Sequence, residues 1–488
     1  MFKFFNKTVS ILKNKNVIYL LTRYLTYGIQ FFVSIFIAVA LGPYYFGIWG
    51  FILLIINYFG VLDFGFANAV NILIIKNKEN LPLVRRYFST GFILVSFLNI
   101  LVLIFFLYNY FFLPIKIFSK YNLNNEIWLL GLIALNVNYN NLLMHLYRIN
   151  NKLSQISFYQ SIVPIFMLVV VMIFHGEKLL KNLILCYVIG NLSSTLYFLK
   201  GKVLPSLQLP PTSDFKEVMK RGFFLFLYNV SFYLIVLSLR SFISAYYSVE
   251  EFGLFAFAFT LGNSILLFLQ AISFLIYPKV VSILNTLNEN KVLESLQDIR
   301  RVYLTLTYLM LYIGLAIISY GIVLIPEYTN SFKLIGLCSL TIVLYSNSFG
   351  YGTFLIANGY EKLNALISIS CLLLNIFLCY IFIVILKFSY ELVIFATMIS
   401  YFVYTYLTVS FTKKKINCSS RKFLNNLKDC FGFNILIPYV FSLFLIVFNL
   451  DYLIILPLCI FLVLSVNDIK FLVEKMINII KNNKILEI

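Results

Sequence analysis

Apolar stretches long enough to cross a bilayer recur along the whole chain, and this recurrence limits the fold more than any other feature. They lie at roughly 17–41, 47–72, 87–112, 127–147, 156–174, 180–199, 222–247, 253–278, 303–325, 334–358, 363–386, 390–411, 431–449 and 452–467. A membrane-spanning helix needs about 20 such residues. The stretches run apolar without the alternation of a transmembrane barrel strand. Composition agrees, since 61 % of the 488 residues are hydrophobic and 12 % are charged. A water-soluble domain averages ~45–50 % apolar and ~25 % charged, so that class is excluded. The expected fold class is all-α: a polytopic membrane protein of about 14 transmembrane helices.

The formal net charge of +19 resolves into a topology. Of 38 Lys and Arg, 30 fall in alternate segments beginning with the N-terminus, 6 in the intervening loops and 2, Arg23 and Arg240, inside spans. Basic residues collect on the cytoplasmic side, so both termini are expected there. The excess then marks orientation and attraction to anionic inner-leaflet lipid, and no nucleic-acid partner is needed to explain it. The basic N-terminus leads into an apolar stretch without a small-residue cleavage site and reads as a retained first helix. The seven cysteines form no CxxC pair and read as free thiols.

The chain also repeats itself. FGIWGFILLIIN from Phe46 and FGLFAFAFTLGN from Phe252 share Phe46/Phe252, Gly47/Gly253, Phe51/Phe257 and Asn57/Asn263 at one offset of 206. Tyr27 matches Tyr233 and Asn141 matches Asn347 at the same offset. Six spans separate the copies, so they enter the membrane in the same direction. Two parallel six-helix bundles are expected, an arrangement found in alternating-access transporters, followed by two extra C-terminal helices. The boundaries are 1–200 for the first bundle, 201–221 for a Pro-rich cytoplasmic linker and 222–411 for the second bundle. Residues 412–488 supply a basic loop, the two extra helices and a cytoplasmic tail.

Ionisable groups inside spans are expensive in lipid and mark sites or structural pairs. Arg23, Tyr27, Gln30 and Ser34 form a polar stripe at helical spacing, and Asn229, Tyr233 and Arg240 repeat it in span seven. Two guanidiniums on equivalent stripes suit an anionic head group such as a pyrophosphate. The alternative for Arg23 is snorkelling to lipid phosphate. Asp63, the only intramembrane carboxylate, is a candidate ion-coupling group or else a structural partner. Asn136, Asn138, Asn140 and Asn141 make span four polar, as cavity lining or as bonds between helices. His145 and His175 lie near span ends and read as surface histidines. No phosphate-binding loop, HExxH or nucleophile motif occurs, so neither an enzyme nor a resident cofactor or metal is expected.

LGPYYFGIW (Leu41 to Trp49) and LDFGFANAV (Leu62 to Val70) resemble the first-and-second-helix motifs of Wzx-type polysaccharide-biosynthesis flippases. These O-antigen and capsule transporters belong to the multidrug/oligosaccharidyl-lipid/polysaccharide superfamily. VEEFGLFAFAFTLGNS and Tyr277-Pro278 fit the same pattern. The resemblance implies a multi-pass protein of the bacterial cytoplasmic membrane. Its substrate would be an undecaprenyl-pyrophosphate-linked oligosaccharide, moved to the outer leaflet by alternating access coupled to H+ or Na+. A polymerase and a chain-length regulator of the same pathway would be its partners. Many relatives carry an acidic residue before the basic one in span seven, whereas Leu239 precedes Arg240 here. Two alternatives stand beside this reading. A multidrug or cation antiporter of the same superfamily would be expected to hold more intramembrane carboxylates than arginines. A membrane polymerase of the same pathway would be expected to carry a long outside loop.

Overall fold

In the helix Leu81–Phe111, Phe97, Ile100, Ile104 and Phe111 are exposed whereas Ser89, Thr90, Asn99 and Asn109 are buried. Such a pattern, apolar outward and polar inward, is stable only where the surroundings are apolar, so the helix belongs in lipid. The same inversion recurs through the computed structural model, which describes residues 15–481 apart from 62–64, 78, 112–115, 124–125, 151, 202, 204, 206, 287–288 and 417–422. Among the described residues all regular structure is helical.

The helices are α1 (Lys15–Val61), α2 (Phe66–Lys76), α3 (Leu81–Phe111), α4 (Lys116–Lys120), α5 (Ile127–Ile149) and α6 (Leu153–Ile173). They continue with α7 (Gly176–Lys200), α8 (Thr212–Tyr246), α9 (Val249–Thr286), α10 (Glu289–Gly321), α11 (Phe332–Leu344) and α12 (Tyr351–Ala357). The last six are α13 (Glu361–Tyr380), α14 (Ile394–Lys415), α15 (Phe423–Cys430), α16 (Phe433–Val447), α17 (Ile455–Leu464) and α18 (Val466–Lys481).

Ten helices among the described residues are long and apolar enough to cross a membrane, or up to twelve if each of two bent pairs is one span. The difference from the fourteen expected spans has two sources. The first two spans run into one helical stretch, Leu21–Gly60, broken by Gly42 at φ 67°, ψ 169° immediately before Pro43. Positive φ costs glycine little, and Pro43 has no N–H to continue the helix. The thirteenth segment forms a helix of only 15 residues, Phe433–Val447. The bent pairs are Phe332–Ser348 with Tyr351–Ala357, at 45°, and Asp451–Leu464 with Val466–Lys475, at 72°.

The chain divides into two compact units: Met1–Val230 with Ser248–Gly253, and Ser231–Tyr247 with Leu254–Ile488. In the first unit α5 is central and packs against α1, α2, α3, α6 and α7. Its asparagines join helices. Asn138 donates to Asn99 Oδ1 (2.8 Å), Asn140 donates to the Asn191 carbonyl (2.9 Å), and Thr195 donates to Asn136 and Asn140 (3.0 and 2.9 Å). Of the two readings of span four, these contacts are bonds between helices. The linker is docked rather than loose, because Arg86 donates both Nε and Nη2 to the Asp214 carboxylate (2.8 and 2.7 Å). Tyr87 donates to Glu217 (2.8 Å), and the Gln208 amide donates to Ser89 Oγ (3.0 Å).

In the second unit, Asn375 of α13 donates to the Ile235 carbonyl and to Ser238 of α8 (both 2.9 Å) and accepts from Thr397 of α14 (3.0 Å). The C-terminal helices are tied in by two aspartates. Asp429 pairs with Lys413 and its carbonyl accepts from Arg300 Nη2 (2.9 Å), while Asp468 pairs with Arg301 and accepts from Asn434 (2.6 Å).

Candidate functional site

In the first unit the candidate residues lie where α1 meets α5 and α6. Arg23 donates to the Tyr27 hydroxyl one turn later, and its guanidinium lies 4.3 Å from the centre of the same ring. Tyr27 is buried, so this contact with Arg23 is sheltered. On the preceding turn Tyr19 donates to Gln160 of α6 (3.3 Å) and lies within electrostatic reach of both Arg23 and Arg148. Thr26 and Ser161 hydroxyls meet at 2.6 Å and hold α1 against α6. Two guanidiniums therefore share a neighbourhood of phenols and an amide, a set of donors suited to an anion.

Along the rest of the α1 stripe the polar groups are less enclosed than Tyr27. Gln30 is exposed, and Ser34 donates to the carbonyl of Gln30 (2.7 Å) rather than to a partner across helices. At 3.6 residues per turn, +4, +7 and +11 stay within about 60° of one another, so the four residues share one face and Gln30 lies at its exposed edge. Asp63 lies outside the described residues, as does the side chain of Asn229.

His145, expected at the surface, is half-buried. Its Nδ1 is buried without a hydrogen-bond partner among the described residues, because the end of α5 is covered by neighbouring helices. His175, just before α7, is exposed as expected. Arg148 was visible in the sequence only as a basic residue near a span end. Its place beside Tyr19 follows from the packing of α1 on α5, which no spacing reveals.

In the second unit Arg240 is buried at 5 % exposure, with its guanidinium 5.1 Å from the centre of the Phe259 ring. Gly262 lets α9 approach α11 closely, since a Cβ there would lie 3.0 Å from the Ser339 amide nitrogen. Arg240 sits in that packed region within electrostatic reach of Cys338. Tyr233, two turns earlier, is 42 % exposed. It belongs with Tyr345 and Tyr401, which stand 5.8 Å apart ring to ring and pack on Phe232 at 5.3 and 5.6 Å.

No protein-family profile and no curated sequence matches the chain. Solved structures do match. One is a lipid II flippase, MurJ, in an inward closed conformation, with a TM-score of 0.66 and 15 % identity over 94 % of this chain and 100 % of that one. A multidrug resistance MATE family transporter of the MOP superfamily, in an inward-facing conformation, aligns with a TM-score of 0.60 and 14 % identity, covering 82 % and 98 %. A MATE structure in a straight conformation gives 0.57 and 13 %, covering 85 % and 99 %. The chain thus has the fold shared by MATE transporters and MurJ.

Proposed function

We propose that the protein is a flippase that carries an undecaprenyl-pyrophosphate-linked oligosaccharide from the inner to the outer leaflet of the bacterial cytoplasmic membrane. The observation that carries this reading is the Arg23–Tyr27 pair with Arg148 and Tyr19 beside it, inside a fold shared with a lipid II flippase. A pyrophosphate spreads its charge over several oxygens, and forked guanidinium donors match that geometry in a way a lone ammonium does not. Arg240 and Tyr233 are the proposed counterparts on α8, with the exposed face of Tyr233 available to a sugar ring. The two six-helix repeats, 1–200 and 222–411, would alternate access to the bound head group, with H+ or Na+ as the coupling ion and Asp63 as the ion-coupling group.

The MATE likeness favours a second reading, a multidrug or cation antiporter. An organic cation calls for carboxylates, whereas the groups around Tyr19 are two guanidiniums and an amide. A deletion strain separates the two. The flippase reading expects lipid-linked oligosaccharide to accumulate on the inner leaflet and surface polysaccharide to be lost, both restored by the wild-type gene. Unchanged polysaccharide with heightened sensitivity to cationic drugs would replace it with the antiporter.

A further inference from the structure

In the second unit Arg300 of α10 is a guanidinium buried to 5 % exposure. Its Nη2 donates to the main-chain carbonyl of Asp429 (2.9 Å), and its guanidinium lies 4.3 Å from the centre of the Tyr351 ring. The Asp429 carboxylate is already paired with Lys413. The groups within electrostatic reach of Arg300 are the phenols of Tyr351 and Tyr308 and the Cys430 thiol, which are ordinarily neutral near pH 7. Nη1 of Arg300 is buried and has no hydrogen-bond partner among the described residues. Buried charges are ordinarily paired, so the place beside this one is open.

The packing next to it is loose. The Tyr351 carbonyl accepts from Thr412 of α14 (3.3 Å), and one turn back on α14 Thr408 is fully buried with its Oγ1 lacking a partner among the described residues. Beside Thr408 lies Gly352, which is also buried. Beyond its own helix, a Cβ on Gly352 would meet only Thr408 Cγ2, at 3.9 Å. Other buried glycines of this unit have no such room: a Cβ on Gly336 would come 2.6 Å from Ile446, and one on Gly262 3.0 Å from Ser339. The antiparallel pair α13 and α14 brings a third group to the same level. Thr397 donates to Asn375 near one end of the pair, and three turns further along both helices α13 carries Asn364 and α14 carries Thr408. Asn364 is fully buried, and neither Nδ2 nor Oδ1 has a partner among the described residues.

We propose that the space beside Gly352 binds one small anion, chloride in the cell, held by Arg300 Nη1, the Thr408 hydroxyl and the Asn364 amide. Interiors are close-packed, and a gap lined by open polar atoms is a place for a bound atom rather than a void. Its lining offers a guanidinium, a hydroxyl and an amide N–H, all donors, and the guanidinium's full charge repels a cation. A water would satisfy the hydroxyl and the amide but leave the charge of Arg300 unanswered. Phosphate and sulfate are too large for a space that a single methyl group would occupy. The anion would hold the bend between α11 and α12, where Gly350 carries φ 85°, against α10 and α14. None of this depends on the cargo, so the site and the flippase reading stand or fall separately.

Thermal melting of the full chain in detergent tests the site. Raising chloride from about 5 to about 500 mM, with gluconate keeping the ionic strength constant, is expected to raise the melting temperature by about 3 °C. Bromide should replace chloride, and sulfate should not. Arg300→Met removes the charge and should melt at the same temperature in chloride and gluconate. Gly352→Ala puts a methyl group where the anion sits, so it too should lose the difference while melting no lower than wild type in gluconate. Equal melting of the wild-type protein in the two salts would overturn the site, since water alone would then fill the gap. A chloride effect that survives in folded Gly352→Ala would overturn it as well, and these two measurements decide the matter even if Arg300→Met does not fold.

Discussion

Asp429 is held from two sides, by Lys413 at its carboxylate and by Arg300 at its carbonyl. Lys413 has only 10 % of its side chain exposed, so removing its partner strands a charge. Asp429→Ala is therefore expected to cost about 2 kcal/mol, below the ~3–5 of a fully buried pair, because the Asp429 side chain keeps 32 % exposure. Replacing both members, Lys413→Met with Asp429→Leu, should recover most of that loss, and thermal melting in detergent would show both effects. A larger loss in the double variant than in Asp429→Ala would refute this account. At Arg23 the graded series separates charge from geometry. Arg23→Ala should lower export at least tenfold with normal membrane insertion. Arg23→Lys, which keeps the charge but not the fork, should recover only part of it. Tyr27→Phe retains the ring beneath the guanidinium and should lose about tenfold, the lower end of the scale for a hydrogen bond from a charged donor. Export assays in the deletion strain, normalised to protein in the membrane, check the series.

At the scale of elements, the bond between Asn138 and Asn99 is a direct tie between α5 and α3. Polar contacts between membrane helices are worth about 0.6 kcal/mol on average, so Asn138→Leu should lower stability by roughly that amount and leave the fold intact. Gly350 is a different case. It holds φ 85° at the bend between α11 and α12, and a Cβ there would lie 3.1 Å from Arg300 Cγ. Gly350→Ala should cost about 1–2 kcal/mol, the scale of forcing an L-residue into left-handed space. Both changes are readable as shifts in melting temperature. The sequence made the apolar stretches plain because hydropathy sums over some 20 residues and tolerates error. The breaks were harder, since each depends on one or two residues such as Gly350, whose φ is set by what packs against it. Arg300 illustrates the same limit. It lies just before the ninth apolar stretch, yet α10 begins at Glu289 and places Arg300 against the Tyr351 ring at 4.3 Å. Asn375 was a lone amide in an apolar run, and only the fold shows that it joins α8, α13 and α14.

For the whole molecule, charge sets a testable orientation. Fusing alkaline phosphatase at the turn around Tyr247 should give an active enzyme, and fusing it after the basic loop near Lys415 an inactive one. A fluorescent protein at the C-terminus should glow in the cytoplasm. The opposite pattern would reverse the orientation read from the 30-to-6 distribution of basic residues. The FG repeat is visible at this scale because one offset aligns several residues, Phe46 with Phe252 and Gly47 with Gly253 among them. The candidate site was half legible. Arg23 and Tyr27 follow from one helix's periodicity, whereas Arg148 joins them only because α5 and α1 pack together.

The break at Gly42 and Pro43 also bears on how such a chain is made. Leu21–Gly60 spans 40 residues and, as one straight helix, would be about 60 Å long, twice the thickness of the hydrocarbon it must occupy. An insertion machine meeting that stretch without a break would have no point at which to turn the nascent chain back. With the break, the stretch can enter as two segments rather than one. Every later helix then inherits its direction from a decision taken at one glycine and one proline.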